Sequence, residues 1–271
     1  MSRERFKALD GLEFPPFEPG TVWLVGAGPG APGLLSLLGY HALCEADVVV
    51  YDALVSDALL DLANPDAKRI YAGKRGGKPS ETQASITLRL IALAEAGKRV
   101  LRLKGGDPMM FGRGAEEAIA LAARGIRFRI VPGITAGIGG LAYAGIPATS
   151  RDVNHAVIFL TGHDETGGVP ASVDWGAVAT AAPVIVMYMA VKHLGSIAEK
   201  LIAGGRDPDD AVTVVSRATL PDQTVVGATL ATVAAIEPEL VTPAIVVVGA
   251  AAGLRDELDW YAGTLRDSPL G

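Results

Sequence analysis

Short runs of apolar residues alternate along the chain with longer segments whose apolar residues recur every three or four positions. The run at 47–51 contains three consecutive valines, and a helical pattern follows it. Uniformly apolar strands that alternate with helices are typical of a parallel sheet covered on both faces. The first half is predicted to form strands at Thr21–Val25, Asp47–Tyr51, Arg69–Tyr71, Arg99–Leu103 and Phe128–Val131, and helices at Leu34–Glu45, Ser56–Leu62, Glu81–Ala96, Ala115–Arg124 and from Pro132 towards Tyr143.

A second alternating region follows the glycine- and proline-containing segment at 145–152. It is predicted to form strands at His155–Leu160, Val184–Met187, Ala211–Val215 and Ala244–Val248, and helices at Asp174–Thr180, Lys192–Ala203 and Leu230–Ile236. The expected fold class is therefore two α/β domains with mostly parallel or mixed sheets. The expected division is a mobile extension at 1–19, an N-terminal domain at 20–134, a linker at 135–150, a C-terminal domain at 151–262 and a tail at 263–271.

Composition narrows the class of ligand. A hydrophobic content of 49% in 271 residues is enough for two cores, and the net charge of −6 argues against a general nucleic-acid binder. Six cations are nevertheless concentrated locally, which suits an anionic small ligand. They are Lys74, Arg75, Lys78, Arg102, Lys104 and Arg113.

Targeting and metal signals are weak. Cys44 is the single cysteine, so no intramolecular disulfide is expected, which suits a reducing cytoplasm. No apolar run reaches the ~20 residues that a membrane helix needs, so we expect a soluble protein without membrane contact. The four histidines lack ligand spacing, so no metal is expected. His163 fits a site residue or a structural strand end equally well.

The segment Arg102–Glu117 has the richest candidate chemistry. It links a predicted strand to a predicted helix and combines four glycines with cations and carboxylates. Gly105 and Gly106 leave the backbone open to close approach. Arg113 precedes a helix start, where the helix dipole disfavours a cation. These features favour a ligand-binding loop over a plain connection.

A second glycine-rich loop, Gly26-Ala-Gly-Pro-Gly-Ala31, follows the first strand and is similar to a dinucleotide-binding loop. Asp52, after the second strand, is a candidate acidic partner in that interpretation. Pro29 and Pro32, however, lack the N–H groups that a pyrophosphate needs. The loop is better suited to form the wall of a pocket.

Several motifs occur in a fixed order. They are Val25-Gly-Ala-Gly-Pro-Gly-Ala-Pro-Gly33, Tyr51-Asp-Ala-Leu-Val-Ser56, Gly73-Lys-Arg75, Leu103-Lys-Gly-Gly-Asp-Pro108, Phe111-Gly-Arg-Gly114, Val131-Pro-Gly-Ile-Thr135 and Ala144-Gly-Ile-Pro147. Together they resemble the tetrapyrrole methylase family over about residues 21–260. The second, third and fifth motifs resemble those of the subgroup that methylates uroporphyrinogen III.

The resemblance implies a homodimer of two α/β domains with S-adenosylmethionine bound in the cleft between them. It implies methylation of uroporphyrinogen III at ring carbons 2 and 7, which gives precorrin-2 for cobalamin, sirohaem or related pathways. The residues that it implies for cofactor binding are Pro29, Gly105, Gly106, Asp107, Met110, Thr135, Ala136, Met189, Ala218, Thr242, Pro243 and Ala244.

The resemblance also implies catalytic and substrate-binding residues. Asp52 would accept a proton and Lys74 would donate one, and Arg113 is a third candidate for the proton chemistry. Arg113, Glu116, Arg151 and Met189 would contact the tetrapyrrole. Lys74 alternatively pairs with a substrate carboxylate, and Arg113 alternatively only fixes the ring.

Other functions stay open at this point. One is a methyltransferase that acts on a later corrin precursor. From different classes come a nicotinamide-dependent oxidoreductase built on the loop at 26–31 and a tetrapyrrole carrier that binds without methyl transfer.

Overall fold

The computed structural model describes residues 11–73 and 82–261, which form two compact units. The first unit comprises the described residues up to Ala27 together with Leu35–Gly133, and the second comprises Gly28–Leu34 and the described residues from Ile134 onward. The expected linker at 135–150 thus belongs to the second unit. A short piece of the predicted N-terminal domain, Gly28–Leu34, belongs there as well.

The first unit contains a five-stranded parallel sheet in the order β3-β2-β4-β1-β5. Its strands are β1 (Val22–Gly26), β2 (Val48–Tyr51), β3 (Lys68–Tyr71), β4 (Val100–Lys104) and β5 (Phe128–Val131). Its helices are α1 (Leu37–Glu45), α2 (Asp57–Leu60), α3 (Gln83–Glu95) and α4 (Gly114–Ala123).

Both faces of this sheet are covered, because alternate strand residues enter two different cores. Trp23 and Val25 pack with α1 and α2, whereas Val22 and Leu24 pack with α3 and α4. Ser36 and Thr82 cap α1 and α3 by accepting backbone N–H groups in the first turn. The prediction of a parallel sheet buried on two faces is confirmed in this unit.

The second unit has a mixed five-stranded sheet in the order β6-β7-β10-β8-β9. Its strands are β6 (Val157–Thr161), β7 (Val184–Tyr188), β8 (Ala211–Ser216), β9 (Thr224–Thr229) and β10 (Ala244–Val248). Its helices are α5 (Ala136–Tyr143), α6 (Trp175–Ala181), α7 (Leu194–Ala203), α8 (Val233–Ile236) and α9 (Arg255–Leu258). β10 is antiparallel to both of its neighbours. The predicted fold class of two α/β units is confirmed.

Several local predictions differ from the structure. The helix expected from Leu34 begins at Leu37, because Pro32–Leu34 forms a separate 3-10 turn. β9 was not predicted, and this half-exposed edge strand pairs only with β8. Of the extension expected to be mobile at 1–19, residues 11–19 are described. In that part Phe17 is 6% exposed and stacks on Trp23 with 4.6 Å between ring centroids.

Candidate functional site

The loops after β2, β4 and β5 lie at one edge of the first sheet, because these strands are parallel and their carboxyl ends point the same way. This is the edge at which open α/β sheets bind ligands. Asp52 follows β2, and Gly105, Gly106 and Asp107 follow β4. These four predicted residues of the first unit therefore lie at one edge of its sheet.

Asp52 connects two of these loops through its half-buried carboxylate. That carboxylate accepts the Gly105 N–H at 3.1 Å and the Leu54 N–H at 3.0 Å. A Cβ added to Gly105 would lie 2.5 Å from the Cβ of Leu54, so only glycine allows this approach. The carboxylate is thus held by backbone groups before any ligand binds.

Asp107 fixes the next part of the loop. Its carboxylate accepts the Met109 N–H at 2.7 Å and the Gly133 N–H at 2.9 Å. Gly133 also packs against Gly26, where an added Cβ would lie 2.5 Å from the Gly133 Cα. Met110 follows in the same turn and is half-buried. The loops after β1, β4 and β5 are therefore packed backbone against backbone.

The segment before α4 holds two non-glycine residues with a left-handed backbone, Phe111 with φ 52° and Arg113 with φ 59°. Such strained residues cluster at binding and active sites. Arg113 donates two hydrogen bonds to Glu116, at 2.8 and 2.7 Å, and both side chains are half exposed. The hydrogen bonds from Arg113 lower the pKa of the Glu116 carboxyl below its usual value. This exposed ion pair can meet an anionic ligand.

The predicted proton donor Lys74 lies outside the described residues, as do Arg75 and Lys78. Their roles stay predictions.

The second unit also collects predicted residues at one sheet edge. The carboxyl ends of β7 and β8 flank the beginning of β10, since Tyr188 pairs with Ile245 and Ser216 pairs with Ala244. Met189 follows β7, Ala218 lies two residues after β8, and Thr242, Pro243 and Ala244 lead into β10. Met189 has φ 55°, and Arg217 and Thr219 have φ 51° and 68°. Strained non-glycine residues thus border this edge too.

Pro29, Thr135 and Ala136 lie near helix α5 in the same unit. A Cβ added to Gly139 of α5 would be 2.9 Å from Pro29, and one added to Gly140 would be 2.8 Å from the Cβ of Ala218. Thr135 is the N-cap of α5, and Ala136 is its first residue. The small residues of α5 therefore bring Pro29 and Ala218 to the same helix.

Two polar residues of this region were not predicted. The Tyr188 hydroxyl lies 2.7 Å from Thr135 Oγ1 and accepts the Gly137 N–H at 2.9 Å, which fixes the start of α5. The Thr219 hydroxyl accepts the Ala31 N–H at 2.9 Å and is buried. Tyr188 ends an apolar strand, so sequence alone offers no signal for it. The strained backbone of Thr219 also has no sequence signature.

Arg151 lies in the second unit, on an exposed turn built by Asn154. The buried Asn154 side chain accepts the Ser150 N–H at 3.0 Å and donates to the Ala148 carbonyl at 2.8 Å. Arg113 and Glu116, by contrast, lie in the first unit. A shared role for these three residues stays a prediction. His163 follows β6 and has its Nδ1 atom 3.3 Å from the Met189 carbonyl oxygen.

Two other kinds of site, for a metal ion and for a dinucleotide, can be compared with the described residues. Within 11–73 and 82–261, no cluster of three or more His, Cys, Asp or Glu side chains has an arrangement that would hold a metal ion. The glycine-rich loop after β1 runs into a 3-10 turn, and α1 begins only at Leu37. The loop therefore does not open directly into a helix N-terminus, as a dinucleotide-binding loop does. No helix of the described segments is long and apolar enough to cross a membrane.

The sequence pattern of the family described as Tetrapyrrole (Corrin/Porphyrin) Methylases matches residues 21–234. The chain belongs to the tetrapyrrole methylase family. Among its relatives is a uroporphyrinogen-III C-methyltransferase from Sinorhizobium sp., 60% identical over 252 residues, which are 91% of this chain and 89% of that protein. The predicted family is thereby confirmed.

Longer relatives and solved structures are also similar to this chain. The siroheme synthase of Zymomonas mobilis is 45% identical over 90% of this chain, and the aligned region is 51% of that protein. The chain therefore spans about half the length of such relatives. A solved structure of uroporphyrin-III C-methyl transferase from Thermus thermophilus, complexed with S-adenyl homocysteine, is 39% identical with a TM-score of 0.76. That similarity covers 86% of this chain and 99% of the Thermus chain.

Proposed function

We propose that this chain transfers two methyl groups from S-adenosylmethionine to carbons 2 and 7 of uroporphyrinogen III and so forms precorrin-2. The observation that carries the proposal is the similarity to the Sinorhizobium methyltransferase along nearly the whole of both chains. The Thermus relative, whose structure contains S-adenyl homocysteine, supports the choice of cofactor.

The described residues fit this cofactor in each unit. In the first unit, Gly105 and Gly106 expose backbone groups without a Cβ, and Asp107 offers a carboxylate beside them. In the second unit, the half-buried Pro29 and the 44% exposed Met189 offer apolar surface suited to an adenosine ring, and the largely buried Ala218 packs on the same helix as Pro29. S-adenosylmethionine supplies the electrophilic methyl group. The protein's part is to position the reacting carbon, which gives roughly 7–11 kcal/mol in well-oriented reactions.

Substrate binding is assigned to cations, because uroporphyrinogen III is a polycarboxylate. Arginine suits this task, since its planar guanidinium pairs with a carboxylate through two hydrogen bonds. Arg113 already makes such a pair with Glu116, so a substrate carboxylate would compete with Glu116 for the same guanidinium. Glu116 would then be released to accept a pyrrole N–H. Arg151 and Met189 complete the proposed set.

The proton step is assigned to Asp52. The macrocycle becomes cationic when the new bond forms and must then lose a proton to a base. The Asp52 carboxylate retains accepting capacity, since the N–H groups of Leu54 and Gly105 occupy only part of it. Lys74 is proposed as the proton donor. Arg113 is the alternative residue for the proton step.

The test is a mass-spectrometric assay with purified protein, uroporphyrinogen III and S-adenosylmethionine. We expect a product heavier by two methyl groups, with a monomethyl species appearing first. A parallel reaction with later corrin precursors tests the alternative substrate. Methylation only in that reaction would reject the assignment of uroporphyrinogen III, and binding without any mass increase would favour a carrier.

A homodimer and a cytoplasmic location are also proposed. The second unit has an apolar groove of about 610 Å³ beside exposed hydrophobic side chains, which include Ile138, Leu258 and Trp260. Large exposed apolar patches commonly mark association surfaces. Light scattering should give a mass twice the 27.9 kDa of one chain.

A further inference from the structure

Behind the loop after β4 lies a cluster of buried charges. Glu117 of α4 is fully buried, and its Oε1 atom accepts hydrogen bonds from Arg102 Nε at 3.1 Å and Lys104 Nζ at 3.3 Å. Gln83 of α3 donates to the same oxygen at 2.8 Å. Arg102 and Lys104 are each 3% exposed. The three charged side chains carry a net positive charge in the interior, where an uncompensated charge is costly.

Lys104 connects this cluster with the proposed site. Tyr51 pairs with Leu103 in the sheet, so the next residues, Asp52 and Lys104, stand side by side at the ends of β2 and β4. The Gly105 N–H, which follows Lys104 directly, donates to the Asp52 carboxylate. The excess positive charge of the cluster is therefore next to the proposed base.

The electrostatic neighbours of Lys104 agree with this placement. Burial lowers the pKa of the Lys104 ammonium, the nearby Arg102 lowers it further, and attraction to Glu117 and Asp52 opposes both effects. Lys104 also attracts the Glu116 carboxylate of the exposed Arg113 pair. The Lys104 ammonium thus interacts with the carboxylate of Asp52, the proposed proton acceptor, and with that of Glu116, a proposed substrate contact.

Resting on the proposed function, we propose that Lys104 is a positioning residue of the methyl transfer reaction. Held on Glu117, its ammonium offsets the negative charge that collects beside Asp52, at the ends of β2 and β4, when the polyanionic substrate arrives. Lys104 acts through Asp52 and needs no contact with the reacting carbon.

The test compares the pH dependence of kcat for the full chain and two neutral variants, Lys104→Met and Lys104→Gln. Each removes the charge, and glutamine can still donate to Glu117. We expect kcat to fall roughly tenfold or more, and the acidic limb of the profile to move to higher pH, because a positive charge beside the reacting groups is lost. Lys104→Arg, which keeps a positive charge, should leave the limb close to its original position.

Gln83→Met is the matched control, since it removes a hydrogen bond to the same Glu117 oxygen without changing any charge. It should leave the acidic limb in place. An unmoved limb in whichever neutral variant is folded overturns the inference, and so does an equal shift in Gln83→Met. If neither neutral variant folds while the pH profiles of Gln83→Met and Lys104→Arg are unaltered, the role of Lys104 is in stability. That result also rejects the inference. If the wild-type chain does not methylate uroporphyrinogen III, the proposed function fails first and the inference falls with it.

Discussion

The Asp52 carboxylate is held by N–H groups from two separate loops, those of Leu54 and Gly105. A base fixed by the backbone needs no reorientation when the substrate binds. Such preorganisation lowers the free energy that the enzyme must spend on rearranging its charged groups during the reaction. The same contacts allow a conservative substitution of Asp52. An asparagine retains one oxygen that can accept from the backbone.

We predict that Asp52→Asn lowers kcat for the methylation of uroporphyrinogen III about 100-fold or more, because the base is lost. Affinity for S-adenosylhomocysteine should stay within about threefold, which calorimetry can measure. Asp57→Asn, on an exposed residue in the first turn of α2, is the control and should leave kcat unchanged. Turnover within about twofold of wild type would remove Asp52 from the proton step.

At the scale of elements, an ion pair connects the beginnings of β2 and β4. The Asp47 carboxylate accepts hydrogen bonds from the Arg99 backbone at 2.8 Å and from Arg99 Nη2 at 2.7 Å. The side-chain hydrogen bond from Arg99 is the main reason why the pKa of Asp47 lies below its usual 3.8. A carboxyl with a lowered pKa stabilises the folded state at neutral pH. That contribution is lost as the pH falls from the usual value through the lowered one.

Asp47→Asn should therefore reduce the free energy of unfolding by about 1–2 kcal/mol at neutral pH. The difference from wild type should shrink below about pH 4, where the wild-type carboxylate also becomes protonated. Urea unfolding at several pH values measures both effects. Asp61→Asn removes a more exposed pair with Arg69 and should change stability by less than about 0.5 kcal/mol. A difference that grows towards acidic pH would contradict the assignment.

The packing of loops at the first sheet edge gives a second prediction at this scale. Gly26→Ala places a Cβ 2.5 Å from Gly133 and 2.6 Å from the Gly106 carbonyl oxygen, both of which are backbone. We expect a loss of about 1–3 kcal/mol in thermal unfolding, together with weaker cofactor binding. Gly33→Ala is the matched control, because an added Cβ there meets nothing within 4 Å. Equal stability of the two variants would show that the close approach is unimportant.

Sequence patterns predicted the bounds of strands that a turn residue follows directly. The strands at Phe128–Val131 and Ala244–Val248 have the predicted bounds, and proline or glycine follows each of them. β9 was missed because its residues are only partly buried on an edge and include Gly227. The loop at 105–107 was predictable from glycines and charges. Tyr188 was not, since its contact with Thr135 depends on packing within the second unit.

At the scale of the whole molecule, ligand binding should raise stability by mass action. S-adenosylhomocysteine at 100 times its Kd should stabilise the folded protein by about 2.7 kcal/mol. Differential scanning calorimetry would show this as a higher Tm. The matched addition of NADH should leave Tm unchanged, because the loop after β1 lacks the geometry of a dinucleotide site. A shift with NADH alone would favour the oxidoreductase alternative.

Gly28–Leu34 belongs to the second unit although its sequence neighbours on both sides belong to the first. The two units are therefore interleaved along the gene, and a recombination breakpoint near residue 133 would separate Thr219 from its partner Ala31. Exchange of either unit alone by gene shuffling is disfavoured, whereas transfer of both together keeps every contact within each unit. The siroheme synthase of Zymomonas mobilis fits this expectation, since its aligned region includes 90% of this chain and therefore residues of both units. Because the seven residues Gly28–Leu34 belong to the second unit, the two units are expected to be inherited together.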